Sequence, residues 1–148
     1  MTDEQHQFIE DFGQHMMGWG LPRTTGRVYG YLLLCQGSAS LDEIVEALGI
    51  AKSGASVAAR QLVQLGMARA RGERGSRRLR YEALIGVDAI MTARTAQTRE
   101  LLERLSQGAR VAPPGPQRER LAEMVETLQQ FVDEAPDILR QIRDRRQA

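Results

Sequence analysis

Six arginines, Arg69, Arg71, Arg74, Arg77, Arg78 and Arg80, crowd into GMARARGERGSRRLRYEA (66–83), a stretch that also holds Glu73 and Glu82. A guanidinium is a planar fork of donors that stays charged and suits the paired oxygens of phosphate or carboxylate. It is neither a nucleophile nor a proton shuttle at neutral pH. The chemistry on offer is anion recognition, and it is local. Residues 1–51 carry net charge −5, residues 52–80 carry +7 and residues 81–148 carry −1, in a chain of +1. A basic island between acidic and balanced flanks is the electrostatic footprint of a polyanion-binding protein.

Other chemistry is poorly supported. No Ser/His/Asp set, glycine-rich phosphate loop or carboxylate pair stands out, so the chain is not expected to be an enzyme. His6, His15 and Cys35 lack metal-ligand spacing, so neither metal nor cofactor is expected. Cys35, the single cysteine, falls on an apolar stripe, where a thiol is unreactive. No apolar run is long enough for a membrane span, and the acidic MTDEQHQFIEDF lacks the order of a signal peptide. A cytoplasmic protein with no membrane partner is expected.

The elements that must position the arginines can be read from periodicity. Phe8, Ile9, Phe12 and Met16 recur at helical steps over 3–18, and Val28, Tyr31, Leu32 and Cys35 do so over 24–35. Ser40-x-x-Glu43 has capping-box spacing ahead of a short helix, 41–48, with Leu41, Ile44, Val45 and Leu48 on one face. Gly49 separates it from a helix over 53–65. Met67–Arg71 and Arg77–Ala83 then alternate around Gly72-Glu73-Arg74-Gly75-Ser76, which predicts a β-hairpin. Alternation places Arg69 and Arg71, and likewise Arg78 and Arg80, toward solvent, and Ala68, Ala70, Leu79 and Tyr81 toward the core. A long helix is predicted over 87–107, a break at APPGP, a helix over 118–134, an interruption at Pro136 and a short final helix.

Helix, short helix, tight turn, helix and basic hairpin are the order of a winged helix-turn-helix. The helix over 53–65 divides into an inner row, Ala55, Ala59 and Leu62, and an outer row, Ser53, Ser56, Val57, Arg60 and Gln64. Such an outer row suits base edges and phosphates in a major groove, and Ser53 and Ser56 lie where the helix N-terminus favours an anion. The hairpin cations would follow the adjacent backbone, with the tip at the minor groove. The competing reading is a winged-helix module that engages an acidic protein partner.

The segment LDEIVEALGIAKSGASVAARQLVQLGMARARGERGSRRLRYEA resembles the winged helix-turn-helix of MarR-type transcriptional regulators. GRVYGYLLLC and the A-R-Q-L…L-G-M spacing look closest to the GbsR-like branch. The resemblance is specific over residues 24–83 and architectural elsewhere. It implies a mainly α fold with a small β-hairpin wing and a homodimer built on intertwined N- and C-terminal helices. It also implies a pseudo-palindromic double-stranded DNA operator, released on ligand binding, and thus a ligand-responsive repressor. By position it assigns Ser53, Gly54, Ser56, Val57 and Arg60 to the recognition helix and Arg77 to the wing tip. One departure stands out: many such wings carry aspartate just before that arginine, where this chain has Ser76.

The resulting division is an N-terminal dimerisation helix (1–20), a DNA-binding domain (21–85) and a C-terminal helical dimerisation region (86–148). The apolar points Phe8, Phe12, Met16, Leu101, Leu105, Leu121, Met124, Val125, Leu128, Phe131 and Val132 are expected at the dimer interface, because the C-terminal helices have little domain of their own to cover them. An apolar small-molecule effector is expected between the DNA-binding lobe and the dimer helices.

Overall fold

The computed structural model describes residues 1–148. In chain order it contains α1 (Asp3–Met17), α2 (Arg23–Leu34), β1 (Ala39–Ser40), α3 (Leu41–Leu48), α4 (Lys52–Gln64), β2 (Ala68–Gly72), β3 (Leu79–Ala83), α5 (Val87–Val111) and α6 (Pro116–Gln147). The chain divides into two compact units, residues 1–93 and 94–148, with the division inside α5.

The first unit is built on α1, α2 and α4. Ile9 and Met16 of α1, Val28, Tyr29 and Leu32 of α2, and Ala55, Ala59 and Leu62 of α4 are almost wholly buried, with Ile44 and Met67 beside them. The two N-terminal helices pack closely because glycine lines their contact. A Cβ added to Gly26 would lie 2.9 Å from both Gly13 Cα and Met16 Cβ. Ion pairs from Glu10 to Arg23 and Arg27 tie the same helices together, and Arg27 also donates to the carbonyl of Leu48 at 3.1 Å. Thr25, a buried polar residue, donates its hydroxyl hydrogen to Gln61 Oε1 at 2.7 Å and so links α2 to α4.

Helix α1 belongs to the same compact unit as α2 and α4. Met16 is 1% exposed within one chain, and Phe12 is half-buried against Phe8 and Tyr29, so this stripe fills the chain's own core. Only Phe8 keeps an exposed face.

The capping box predicted for α3 is formed in both directions. Ser40 Oγ accepts from the Glu43 N–H at 3.2 Å, and the Ser40 N–H donates to Glu43 Oε2 at 2.9 Å. Ser40 also ends β1, a two-residue strand that sequence periodicity could not announce. The sheet order is β1-β3-β2, all antiparallel, with Ala39 opposite Tyr81 and Ser40 opposite Arg80. Tyr81 is buried, and Tyr29 donates its phenol to the carbonyl of Leu84 at 3.0 Å just beyond β3.

In the second unit, Pro113 and Pro114 fall in the break between α5 and α6, as a residue without an N–H requires. Arg118 fastens the break, donating to the carbonyls of Ala112 (2.7 Å) and Arg110 (3.3 Å). The expected interruption at Pro136 does not occur, and α6 runs through it to Gln147. The physical reason lies in the stripe. Leu121, Val125, Leu128, Val132, Ala135 and Leu139 are half-buried or buried in steps of four and three, and the register holds on both sides of the proline. Pro136 itself is exposed. Val132 is 3% exposed within one chain. Leu101, Met124 and Phe131 stand exposed, while Leu105 is half-buried.

Candidate nucleic-acid interface

Helix α4 separates its residues by face as its sequence demands. Ala55, Ala58, Ala59 and Leu62 are 0–1% exposed and bring the helix close to its neighbours. Ser53, Val57, Arg60 and Gln64 are exposed on the opposite side, and Gly54 and Ser56 are half-exposed between the rows. Val57 at 61% is a large apolar side chain left in water, which an α4 serving only the core would not need. Arg60 points outward.

The hairpin turns where Gly75 adopts φ +77°, a conformation an L side chain rarely takes. The Glu73 N–H donates to the Arg78 carbonyl (3.0 Å) and the Ser76 N–H to the Glu73 carbonyl (3.1 Å), closing the loop. Just before Arg77, Ser76 Oγ accepts the Arg78 N–H at 3.0 Å.

Between α4, the start of α3 and the hairpin runs a groove of about 470 Å³. Its wall of cations is Lys52, Arg60, Arg77 and Arg78. Its apolar floor is Leu41, Val63, Ala70, Leu79 and Tyr81. Arg60 and the tip arginines thus share one surface. The rest of the hairpin departs from expectation in two ways. Ala70 is exposed and Leu79 is 45% exposed, so they line the groove instead of entering the core. Arg69 and Arg71, one residue out of phase with Ala70, lie on the other face of the strand, so they do not share the Arg60 surface.

Carboxylates sort the wing cations further. Glu82 takes Arg69 at 2.9 Å and Arg71 at 3.4 Å, and the Arg69 guanidinium draws the Glu82 carboxyl below the ordinary range. Arg80 is the most engaged. It donates to Ser38 Oγ (3.0 Å), to the Ser38 carbonyl (2.9 Å) and to Glu43 (3.0 Å), with its side chain 29% exposed. Glu43 is held below its usual pKa chiefly by the Ser40 N–H and secondarily by Arg80. Asp42 is lowered too, first by Lys52 and then by Arg78. Arg60, Arg74 and Arg77 carry no ion pair. Sequence reasoning counted Arg80 among free cations and missed Lys52, Asp42, Glu43 and Ser38. Arg80 and Glu43 are 37 positions apart, and only the β1–β3 pairing brings them together.

Cys35 sits half-buried beside Tyr31. Burial pushes the thiol pKa up, and the Tyr31 phenol is pushed up to about 12, first by burial and then by its hydrogen bond with Cys35. No group of three or more His, Cys, Asp or Glu residues could hold a metal ion, and no helix is long and apolar enough to cross a membrane.

Known proteins resemble this chain. The HTH-type transcriptional regulator MmpR5 of Mycobacterium tuberculosis is 30% identical over 138 residues, covering 90% of this chain and 83% of its own length. The chain belongs to the MarR-type winged helix-turn-helix transcriptional regulators. A crystal structure of a transcriptional regulator, 28% identical, covers 95% of this chain and 99% of its own with a TM-score of 0.77. The putative HTH-type transcriptional regulator YvaV of Bacillus subtilis (strain 168) is 34% identical over 79 residues, 53% of this chain. That match spans 44% of YvaV, less than half of that relative's length. No family model matches. These relatives place the regulator in a family of transcription factors, not of enzymes, and assign it to no branch of that family.

Proposed function

We propose that this regulator is a sequence-specific DNA-binding protein that works as a homodimer and represses transcription until a small apolar effector binds. Helix α4 would enter the major groove with Ser53, Gly54, Ser56, Val57, Arg60 and Gln64 toward the bases. Arg74, Arg77 and Arg78 would follow the flanking backbone. The observation that carries the reading is the shared surface of Arg60, Arg77 and Arg78 around an open groove. Outward guanidiniums on a helix and an adjacent wing, with Arg60 and Arg77 free of any ion pair, match what a duplex offers: base edges in one groove and phosphates beside it.

Dimerisation is supported by α6. Met124, Phe131 and Ile138 are exposed at 49, 59 and 45%, each seven residues from the next, and Leu101 of α5 adds another exposed apolar point. An apolar row at seven-residue spacing left in water is the pattern of a helix awaiting a partner helix. A two-fold dimer implies half-sites roughly 34–36 Å apart. The same exposed side chains support an apolar effector class.

Selection of duplexes from a random pool, followed by gel shifts at physiological salt, tests the reading. A pseudo-palindromic product bound in preference to random DNA is the expected result. Arg60→Ala should then weaken that product about 5- to 150-fold and relax one position per half-site, with stability unchanged. Weak binding without sequence preference would return the basic surface to an acidic protein partner.

A further inference from the structure

Asp42 stands where the two arms of the cationic surface meet. Its Oδ1 lies 3.0 Å from Nζ of Lys52, the first residue of α4, and its Oδ2 lies 3.7 Å from Nη1 of Arg78, just ahead of β3. The three side chains are 53, 66 and 72% exposed and line one groove with Arg60 and Arg77. The core does not require this carboxylate, and no α3 backbone group is bonded to it. The capping of that helix is done by Ser40 and Glu43. A negative charge in the middle of a surface built for phosphates works against binding in general, so its effect has to be selective to be useful.

The geometry points to Asp42 as a specificity-determining positioning residue, one that ties the recognition helix to the wing and withholds Lys52 and Arg78 from indiscriminate contact with duplex DNA. The inference rests on the DNA-binding reading above. A lysine ammonium has three donors and a guanidinium has five, so each can keep Asp42 and still reach a phosphate when α4 and the wing dock in register. A duplex bound out of register relies on phosphate attraction alone, and it must strip the two cations from Asp42 first. One carboxylate therefore favours the in-register complex twice, by holding the spacing between α4 and the wing and by weakening the competing complexes. The carboxylates that tie the wing to the body, Asp42 and Glu43, both come from the first turn of α3.

Asp42→Asn in the full chain tests this, with two probes: a random-sequence duplex and the duplex that the unmodified chain enriches from a random pool. Anisotropy titrations over a salt series should show random-duplex affinity rising about three- to tenfold, the scale of two exposed ion pairs. Its slope of log affinity against log salt should steepen by about one to two. The enriched duplex should gain nothing, so the preference shrinks. In a Lys52→Gln/Arg78→Gln background the same substitution should have no effect. An unchanged preference in Asp42→Asn with native circular dichroism overturns the inference, as does a shift that persists in that background, which would mark plain long-range repulsion. If the unmodified chain enriches no duplex, the DNA-binding reading itself fails and takes this inference with it.

Discussion

Helix α4 and the hairpin both present arginine to solvent, yet they hold it differently. Arg60 extends from a helix whose opposite face is sealed by alanine and leucine, and no carboxylate touches it. Across the hairpin Arg69 and Arg71 share Glu82, Arg78 leans on Asp42, and Arg80 is clamped by Ser38 and Glu43. A helix positions a side chain through its backbone, which is rigid by virtue of its own hydrogen bonds and packing. A two-stranded ribbon is marginal alone, so it borrows rigidity from ties across its own strands, to Glu82, and to the body beneath it, to Asp42, Ser38 and Glu43. The formal charge of the basic island therefore overstates the charge free to meet a phosphate.

The largest consequence falls on Arg80. Arg80→Ala removes three charge-assisted or polar contacts at a partly exposed junction, taking the guanidinium from Ser38 and leaving Glu43 with only the Ser40 N–H. We expect a loss of about 1–3 kcal/mol, seen as a melting temperature lower by roughly 3–8 °C in thermal denaturation. Arg60→Ala should leave that temperature where it was. Equal melting temperatures for the two variants would erase the distinction between a structural and a presented arginine.

What the sequence made legible follows the same line. The helices, the Ser40–Glu43 capping box, the hairpin and the outer row of α4 are local patterns, written in side chains three, four or two positions apart. The ties that decide which arginines are free are not local. Glu43 reads as a cap, and nothing in its neighbourhood announces a guanidinium from a strand 37 residues later. β1 is too short to carry a period. Pro136 misled for the complementary reason: a single residue argued for a break, while the half-buried stripe from Leu121 to Leu139 outweighed it. Met16 and Val132 show that an apolar stripe announces burial without saying whether the cover is the same chain or another.

A smaller effect sharpens the comparison within the wing itself. Arg77 is unpaired and lines the groove, whereas Arg69 is engaged with Glu82 on the opposite face. Arg77→Gln should weaken all duplexes alike and flatten the salt slope by about 0.9 for each protomer that loses a phosphate contact. Arg69→Gln should leave the slope within error. Titrations at several salt concentrations compare them directly, and equal slope changes would mean that the carboxylate does not hold its partner back.

The smallest expected effect concerns acid. Asp42, Glu43 and Glu82 are all drawn below their ordinary pKa in the folded chain. A carboxyl lowered on folding contributes its full stability above the unfolded value, near 4.5 for glutamate, and loses that contribution as pH falls through the folded value. The fold should therefore be insensitive to pH around neutrality and weaken only in the acid range. Glu43 is lowered first by the Ser40 N–H at the head of α3 and only then by Arg80. Denaturant titrations at a series of acid pH values should thus show that Arg80→Ala keeps part of the Glu43 acid sensitivity, because the cap survives. Glu43→Gln should abolish it, because no charge remains to be protonated. If Arg80→Ala removes as much acid sensitivity as Glu43→Gln, the guanidinium and not the cap fixes that carboxylate, and the wing grips α3 more firmly than its exposed surroundings suggest.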